Sequence, residues 1–469
     1  MKVVKNIIAI IMLLLSIYCY KIVNDTNIIP NKYLYVFLGI LILLNILGFI
    51  FIHLKKKVFK VLSIIIYIFI LIISIIGIWY GSKTINYLNH SFNNNKIETL
   101  KYNVIVLKKS QYKKIDDLVN KKIGYLSIET DYYNYLEVIE NKLKADYQEY
   151  DISKLYYNLM DKELDAIVIE DSYIDMLEEQ YQDFNSSIRI IDSYPIEKKN
   201  KTNSKKIEKL SSFNIYISGS DSRSNSVVAN SRSDVNMIAS INPNTNKILL
   251  TSIPRDYYVQ LHGTSGLKDK LTHAGIYGID MSRETLEDLF NIKIDYSIKV
   301  SMSSIVELVD LVGGIDIDSD ITFQSFHIKG WTVNQGINHM NGKQALAYAR
   351  ERYAYSNGDI HRVQNQQQVL AAVLEKIMKD RSILLKYDSL LNSFSDLYRT
   401  DMPKELITLL VKNQLNEMKS FDIERQYVDG TGSMSETYSM PSVKLYVMNP
   451  NMSSVTLAHD KINEVINEQ

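Results

Sequence analysis

Six arginines in short polar motifs are the residues of this chain best suited to chemistry. The sequence has eleven arginines against forty-two lysines, and these six are Arg223, Arg232, Arg255, Arg350, Arg352 and Arg362. Because lysine supplies most of the positive charge elsewhere, a retained arginine indicates a site that needs a planar, permanently charged, bidentate donor. That geometry matches the oxygens of a phosphate group. The arginines therefore predict a binding site for a phosphorylated substrate.

Two of the arginines stand beside aspartates at predicted strand ends. The stretch "GSDSR" (219–223) carries Asp221 and Arg223, and "SRSDVNMI" (231–238) carries Arg232 and Asp234 just before an apolar strand. Carboxylate oxygens are ligands that Mg²⁺ prefers, and guanidinium groups bind the remaining phosphate oxygens. A surface salt bridge is the simpler interpretation of either motif alone. A magnesium–phosphate site is the interpretation that the whole set favours.

A third motif follows another predicted strand. In "LLTSIPRDYYVQL" (249–261) the strand ends at Pro254, so Arg255 and Asp256 are expected in the turn. Lys270, in "KLTHAGIYG" (270–278), is a further basic candidate. A solvated lysine is the simpler interpretation of that residue alone.

The fourth motif predicts a helix that ends in arginine. In "NGKQALAYARER" (341–352), Asn341 can cap the helix and the alanines give it an apolar face. Arg350 and Arg352 come at the end of this helix.

The fifth motif, "GDIHRVQNQQQVLAAVLEKIM" (358–378), predicts the next helix. Asp359 can cap it, and Arg362 and Gln366, four residues apart, share one face of its first turns. The unpaired donors and the dipole at this end of a helix favour an anion. Two apolar rows follow along the same helix, Val369, Val373 and Ile377 in one row and Leu370, Leu374 and Met378 in the other. We expect these rows in the core, or alternatively along a slot for a long hydrocarbon.

Composition limits the other possibilities. The formal net charge is zero, which argues against a protein whose main partner is nucleic acid. The only cysteine, Cys19, lies in an apolar run, so the sequence carries no disulfide framework and no cysteine metal site. The chemistry is therefore expected to depend on arginine and carboxylate side chains.

Three apolar stretches open the chain, at 7–23, 33–52 and 61–80, and each is near the roughly 20 residues that cross a bilayer. We expect three transmembrane helices, because the bulky Tyr18 argues against a signal-peptide cleavage site. The connection "HLKKKVFK" (53–60) and the lysines of the N-terminus indicate the cytoplasmic side. Residues after about 80 are then expected outside the cell, with Trp79 and Tyr80 at the membrane interface.

The alternation of strands and helices predicts an α/β protein of several parts. We predict a membrane anchor (1–80), a polar spacer (81–100), a small accessory α/β domain (101–197), a lysine-rich linker (198–210) and a catalytic domain with a mixed β-sheet flanked by helices (211–469). The accessory domain resembles one lobe of the periplasmic solute-binding fold. A spacer or interaction role is favoured over ligand binding, because the sequence shows no convergent charged pocket there.

The ordered motifs resemble those of the LytR-CpsA-Psr (LCP) family of cell-envelope glycopolymer phosphotransferases. The match covers roughly residues 211–380 and adds "LVGGIDID" (311–318) and "GINHM" (336–340) to the motifs above. Three membrane helices followed by an accessory domain look most like the CpsA-type branch associated with capsule.

The resemblance implies roles for individual residues. Asp221 and Asp234 are similar to the family's metal-facing aspartates, for magnesium or alternatively manganese, and either acid could be the general base. The residues that match catalytic positions are Asp234, Arg255, Arg350, Arg352 and Arg362. The residues that match positions around the pyrophosphate are Arg223, Arg232, Arg255, Lys270, Arg350, Arg352, Asp359, Arg362 and Gln366.

The resemblance also implies a reaction. A phospho-glycopolymer, such as capsule polysaccharide or teichoic acid, would move from a polyprenyl-pyrophosphate carrier onto peptidoglycan, and an apolar channel would hold the polyprenyl tail. The alternatives are a pyrophosphohydrolase that uses water as the acceptor, a ligand-binding module with an inert second domain, and a membrane sensor or transcription attenuator. A transcription attenuator that binds DNA would have to do so through the basic loop 53–60, without a recognition helix.

Overall fold

The computed structural model describes residues 2–93, 97–126, 132–199, 207, 209–220, 230–355, 358–379, 398–417 and 419–468. The chain begins with three long apolar helices, α1 (Lys2–Asp25), α2 (Asn31–His53) and α3 (Lys57–Asn93). Their length and composition are sufficient for crossing a membrane, which agrees with the sequence prediction.

Small and polar side chains bring these three helices together. A Cβ atom on Gly77 would lie 2.7 Å from the Sγ of Cys19, so α1 and α3 approach closely where glycine leaves room. Asn45 of α2 donates to the Ser16 hydroxyl of α1 at 2.9 Å. Close packing of small residues and interhelical hydrogen bonds are what associate helices in lipid, where the hydrophobic effect does not.

The stretch 81–100, predicted as a spacer, contains the end of a helix and the beginning of a strand. Helix α3 continues to Asn93, and the first strand already begins at Ile97. The polar composition of this stretch concealed a helix that extends beyond the apolar part of α3. The predicted linker at 198–210 lies largely outside the described residues.

The accessory domain is built on a five-stranded sheet with the order β3-β2-β4-β1-β5. The strands are β1 (Ile97–Leu107), β2 (Lys122–Leu126), β3 (Asp146–Tyr150), β4 (Ala166–Glu170) and β5 (Ile188–Lys199). The helices are α4 (Tyr132–Glu140), α5 (Ile152–Met160), α6 (Asp171–Gln180) and α7 (Phe184–Ser187). Strands β2, β3 and β4 are parallel, as expected from strands joined by helices.

A six-stranded sheet, with the order β16-β11-β6-β7-β8-β17, forms the centre of the catalytic domain. Its strands are β6 (Phe213–Ser220), β7 (Val235–Asn242), β8 (Lys247–Ile253), β11 (Tyr296–Ser301), β16 (Tyr398–Thr400) and β17 (Asp422–Tyr427). Strand β11 runs parallel to β6, and β17 parallel to β8, while β7 is antiparallel to both of its neighbours. The prediction of a mixed sheet is confirmed.

Shorter strands and the helices complete this domain. The strands are β9 (Tyr258–Val259), β10 (Asp269–Lys270), β12 (Ile315–Ser319), β13 (Phe323–Gln324), β14 (Thr332–Val333), β15 (Gly336–Met340), β18 (Gly430–Glu436) and β19 (Lys444–Pro450). The helices are α8 (Leu271–Ala274), α9 (Ile279–Phe290), α10 (Met302–Leu311), α11 (Gly342–Arg350), α12 (Gly358–Lys379), α13 (Lys404–Glu417) and α14 (Met452–Asn467).

The two domains share apolar packing. Leu155, Tyr173 and Leu177 of the accessory domain belong to one buried cluster with Ile276 and Met440 of the catalytic domain. The apolar row of α12 is also in a core, since Val369 and Val373 pack with residues of α11 and β12. The core interpretation of these two residues therefore holds.

Candidate active site at the strand ends

Three of the sequence motifs meet at one edge of the catalytic sheet. Because β6 and β8 are antiparallel to β7, the C-terminal ends of β6 and β8 and the N-terminal end of β7 lie at the same edge. Arg232 and Asp234 directly precede β7, and Arg255 directly follows β8. The edge of a sheet where strands end in loops is a common place for a ligand site, because the loops there carry polar side chains.

Backbone hydrogen bonds hold these loops together. The amide of Ser233 donates to the carbonyl of Thr272 at 3.0 Å, and the amide of Thr272 donates to the carbonyl of Arg255 at 2.8 Å. A Cβ atom on Gly275 would lie 2.5 Å from the carbonyl oxygen of Ser231, so this position requires glycine. The motif that begins at Lys270 thus connects the Arg232 and Arg255 loops.

The charged side chains of these loops form a contiguous network. Nη1 of Arg255 lies 2.7 Å from Oδ1 of Asp234, and its Nε lies 3.7 Å from Oδ2 of Asp256. Nζ of Lys270 lies 2.5 Å from Oδ1 of Asp256. Lys270 is buried, with 7% of its surface exposed, which contradicts the interpretation of a solvated lysine. A buried lysine needs a paired acid, and Asp256 supplies it.

A residue of the accessory domain joins this network. Glu179, near the end of α6, forms ion pairs with Arg232 through Oε2 and with Arg255 through Oε1, the latter at 3.6 Å. Sequence reasoning did not identify Glu179, and its neighbours give only a weak signal. The segment "DSYIDMLEEQ" (171–180) has four acids and no basic residue, which is also typical of a solvated helix.

The fourth motif positions its arginines through a helix cap and a buried acid. Asn341 caps α11 by accepting from the Gln344 amide, as predicted, and Arg350 ends the helix. Glu351, which is fully buried, accepts hydrogen bonds from the Arg352 amide at 3.1 Å and from the Phe326 amide at 3.0 Å. Burial lowers the pKa of the Arg350 guanidinium from its ordinary value. Arg352 is exposed, with its guanidinium over the ring of the adjacent tyrosine.

The fifth motif begins α12, and this helix points toward the same edge of the sheet. The side chain of Gln367 donates to the carbonyl of Leu250, in the middle of β8, at 3.1 Å. Ala371, one turn later, packs in a cluster that contains Phe213, at the beginning of β6. The N-terminal part of α12 therefore extends toward the strand ends that carry Arg255. This part of the helix includes the half-buried Arg362 and the buried Gln366.

Three predicted site residues cannot be placed in this geometry. Asp221 and Arg223 lie outside the described residues. Helix α12 begins at Gly358, so Asp359 lies in its first turn instead of capping it from outside, and the Asp359 side chain is outside the described part. The network described above thus contains Arg232, Asp234, Arg255 and Lys270 of the predicted set.

The donor set allows a test of the predicted magnesium ion. Within the ranges that the structure describes, no three His, Cys, Asp or Glu residues form a group suited to a metal ion. Asp234 is 12% exposed at its side chain and lies beside Arg255. This arrangement does not fit an all-protein metal cage. Mg²⁺ usually binds one or two carboxylates together with phosphate oxygens of the substrate, and Asp234 is the described carboxylate that would serve in that mode.

The chain thus has a mixed α/β domain in which arginine, lysine and aspartate side chains gather at the strand ends. The chain belongs to the LytR_cpsA_psr family, whose model matches residues 181–453. The family expected from the motifs is therefore confirmed. The match begins in the accessory domain, just after α6, and ends in α14.

Two named relatives are teichoic acid transferases. The chain is 31% identical over 233 residues to a polyisoprenyl-teichoic acid–peptidoglycan teichoic acid transferase TagU of Enterococcus faecalis, covering 49% of this chain and 74% of that protein. It is 34% identical over 223 residues to the TagU of Bacillus mycoides, and this match covers 47% of this chain and 66% of that protein. Among solved structures, TagV of Bacillus subtilis matches 56% of this chain and 99% of its own, at 26% identity and a TM-score of 0.46.

Proposed function

We propose that this protein is a membrane-anchored phosphotransferase that moves a phospho-glycopolymer from a polyprenyl-pyrophosphate carrier onto peptidoglycan. The observation that carries the proposal is the convergence of Arg232, Arg255 and Lys270 with Asp234 at one edge of the catalytic sheet. Family membership and the names of the relatives support the same reaction. Teichoic acid is the first donor to test because those relatives are named for it, and capsule polysaccharide is the second.

The reaction needs what this edge provides. Two adjacent phosphates repel an attacking hydroxyl, so the site must neutralise them before the acceptor can approach. Arg232 and Arg255 each present a planar fork that can bind two oxygens of one phosphate. Fixed guanidinium groups also stabilise the charge that develops on the phosphoryl and leaving oxygens in the transition state.

Arg350 and Arg362 extend the proposed site. We place Arg362 near the strand ends because α12 contacts β8 through Gln367, and the N-terminal dipole of this helix would add positive potential for an anion. Arg350 is half-buried, so its charge is less screened by water than a surface charge would be. Gln366 is a supporting polar residue on the same helix as Arg362.

Magnesium is proposed as the cofactor, with manganese as the alternative. Asp234, with Asp221 as its proposed partner, would hold the ion together with phosphate oxygens of the donor. When bound, the ion supplies further neutralisation of the pyrophosphate. Because polyprenyl phosphate leaves as a stable anion, the site needs no strong acid to expel it. Asp234 and Asp221 remain the candidates for the base that takes the proton of the acceptor hydroxyl.

Contacts between the anchor and the catalytic domain support the proposed location. Nζ of Lys404 lies 3.0 Å from Oδ1 of Asn89, near the end of α3. Nζ of Lys412 lies 3.3 Å from Oδ1 of Asn27, in the loop between α1 and α2. The catalytic domain therefore contacts the same end of the helix bundle as that loop. With the lysine-rich loop 53–60 in the cytoplasm, this end is outside, where a lipid-linked donor presents its head group.

A transfer assay with the full chain in detergent or vesicles tests the function. Purified protein is mixed with a polyprenyl-pyrophosphate-linked teichoic acid or capsule donor, with and without peptidoglycan, across a magnesium titration. We expect polymer bound to peptidoglycan and release of polyprenyl phosphate only when acceptor is present. Release of polyprenyl phosphate at the same rate without acceptor would instead identify a pyrophosphohydrolase. No reaction with either donor would count against the proposal.

A further inference from the structure

The accessory domain places a carboxylate on two of the arginines proposed to bind the pyrophosphate. Glu179 has one oxygen with Arg232 and the other with Arg255, so its carboxylate bridges the two guanidinium groups. Both guanidinium side chains are 19% exposed, whereas Glu179 is 39% exposed. The acid thus approaches from the solvent side onto arginines that are largely buried.

The position of Glu179 is determined by packing and not by one surface ion pair. Helix α6 contributes Met176 and Leu177 to the cluster that also contains Ile276 and Met440 of the catalytic domain. At the start of the helix, the buried Glu170 accepts from Ser172 at 2.5 Å and lies 3.5 Å from the Asn230 amide nitrogen, just before the Arg232 motif. Contacts near both ends of α6 therefore hold Glu179 over the arginines.

The charge of the site explains why an acid is useful there. Arg232 and Arg255 are partly desolvated like charges, and each would disfavour the other in a site without an anion. Among the described side chains of this network, Glu179, Asp234 and Asp256 balance Arg232, Arg255 and Lys270. A guanidinium fork binds a carboxylate and a phosphate with the same geometry, so the two anions compete for the same donors.

We infer that Glu179 occupies the pyrophosphate position of Arg232 and Arg255 in the free enzyme and that the donor head group displaces it. This inference rests on the proposed function, because it assumes that both arginines bind the pyrophosphate. The accessory domain is then an internal anionic competitor that covers the site until a donor arrives. A ligand releases Glu179 only when it takes both arginines, since each arginine holds one of the two carboxylate oxygens.

Glu179→Gln tests the inference, with Glu137→Gln as the matched control. Glu137 is an exposed acid on α4 of the same domain. Binding of inorganic pyrophosphate to the full chain in detergent is measured by calorimetry for wild type and both variants. We expect Glu179→Gln to bind pyrophosphate about tenfold more tightly, which corresponds to about 1.4 kcal/mol, because the competing charge is gone. The control should bind like wild type.

A second variant guards against a folding artefact. Glu179→Asp keeps the acid but shortens the side chain by one methylene, so it should bridge both arginines poorly and also bind pyrophosphate more tightly than wild type. In wild type, hydrogen exchange at the amides of α6 should increase when pyrophosphate binds, because Glu179 is released. The donor KM should fall in both variants.

The outcomes separate this inference from the proposed function. If wild type binds pyrophosphate and turns over donor, and Glu179→Gln binds it equally or more weakly, Glu179 is not a competitor and the inference is overturned while the function stands. If neither wild type nor the variants bind pyrophosphate or turn over donor, the proposed function itself fails.

Discussion

The catalytic sheet and the accessory sheet differ in the charge of the side chains at their strand ends. In the catalytic sheet, the loops at the end of β8 and the beginning of β7 carry Arg255 and Arg232. In the accessory sheet, β4 ends at the buried Glu170, and the helix that follows is rich in acids. Both domains are α/β folds with parallel strand pairs, so the fold alone does not distinguish their functions. The side chains at the strand ends differ, and Glu179 of the accessory domain pairs with Arg232 and Arg255 of the catalytic domain.

The largest expected effect concerns the buried ion pair of the basic edge. Lys270→Met removes the partner of Asp256, and both side chains are less than one tenth exposed. The change leaves Asp256 with the more distant Arg255 as its charged partner, at 3.7 Å, and breaking a buried pair in this way costs about 3 to 5 kcal/mol of the free energy of unfolding. The matched change in the accessory domain, Lys154→Met, removes an exposed lysine, while its partner Asp151 keeps the hydrogen bond from the backbone amide of residue 154, and it should cost about 0 to 1 kcal/mol.

Denaturant unfolding of the full chain in detergent measures both variants. If both variants lose the same stability, the buried ion pair of the catalytic domain contributes no more to folding than the ion pair of the accessory domain. Lys270→Met combined with Asp256→Leu should recover most of the loss, because the unpaired buried charge is then removed.

The second effect concerns activity. Arg350→Ala and Arg362→Ala should each lower transfer by about 2 to 4 kcal/mol of transition-state stabilisation, since each removes one phosphate contact in the proposed site. The control is Arg189→Ala in the accessory domain, where the guanidinium donates to the carbonyl of Tyr112 at 2.5 Å and serves the fold. Turnover of lipid-linked donor, with thermal unfolding measured in parallel, separates loss of function from loss of structure. Near-normal turnover of both arginine variants would contradict the site.

The third effect concerns the proposed metal ion. Asp234→Asn should raise the magnesium concentration for half-maximal activity by about tenfold or more, because a charged oxygen ligand becomes neutral. Asp146→Asn, at an exposed position of the accessory sheet, should leave the titration unchanged. Asp234 also contacts Arg255 at 2.7 Å. Activity that stays low at every magnesium concentration would therefore assign Asp234 to positioning Arg255 instead of binding metal.

The sequence predicts the site residues of the catalytic domain better than the elements of the accessory domain. The motifs of Arg232 and Arg255 could be placed at strand ends because apolar strands flank them, and Asn341 could be identified as a cap from local spacing. The accessory strand β3, "DYQEY", gives no strand signal, because its polar residues show no apolar alternation. The stretch after Tyr80 is predicted as a spacer because its polar composition gives no signal that α3 continues to Asn93.

Short motifs do not predict contacts between segments that are far apart in the sequence. Lys270 taken alone is more simply a surface residue, and only the fold brings Asp256 beside it. Glu179 lies 53 residues before Arg232 along the chain. The ion pair between them depends on how the accessory domain packs on Ile276 and Met440, and these residues read only as ordinary core positions. Tertiary packing, and not local spacing, thus determines the partners of Lys270 and Glu179.

The smallest expected effect is a pH dependence of stability that comes from a histidine of the catalytic domain. Residues 97–199 contain no histidine, whereas His262 of the catalytic domain lies with Nδ1 2.7 Å from Oδ2 of Asp288 at the surface. The hydrogen bond to Asp288 raises the pKa of His262 above its ordinary value. The stabilisation from a raised pKa is fully present below the unfolded value, near 6.5, and is lost as pH rises through the folded value.

Wild type should therefore exceed His262→Gln in stability at pH 5.5, by an amount within the range of about 0 to 1 kcal/mol for exposed ion pairs. The difference should be smaller at pH 8.5, because the stabilisation is lost as pH rises through the raised pKa of the folded state. Thermal unfolding at the two pH values measures it, and Asp288→Asn should remove the same pH dependence, since it removes the charge that raises the pKa. A stability difference that persists unchanged at pH 8.5 would show that His262 acts through packing instead of charge. The titration would then no longer distinguish the catalytic domain from the histidine-free accessory domain.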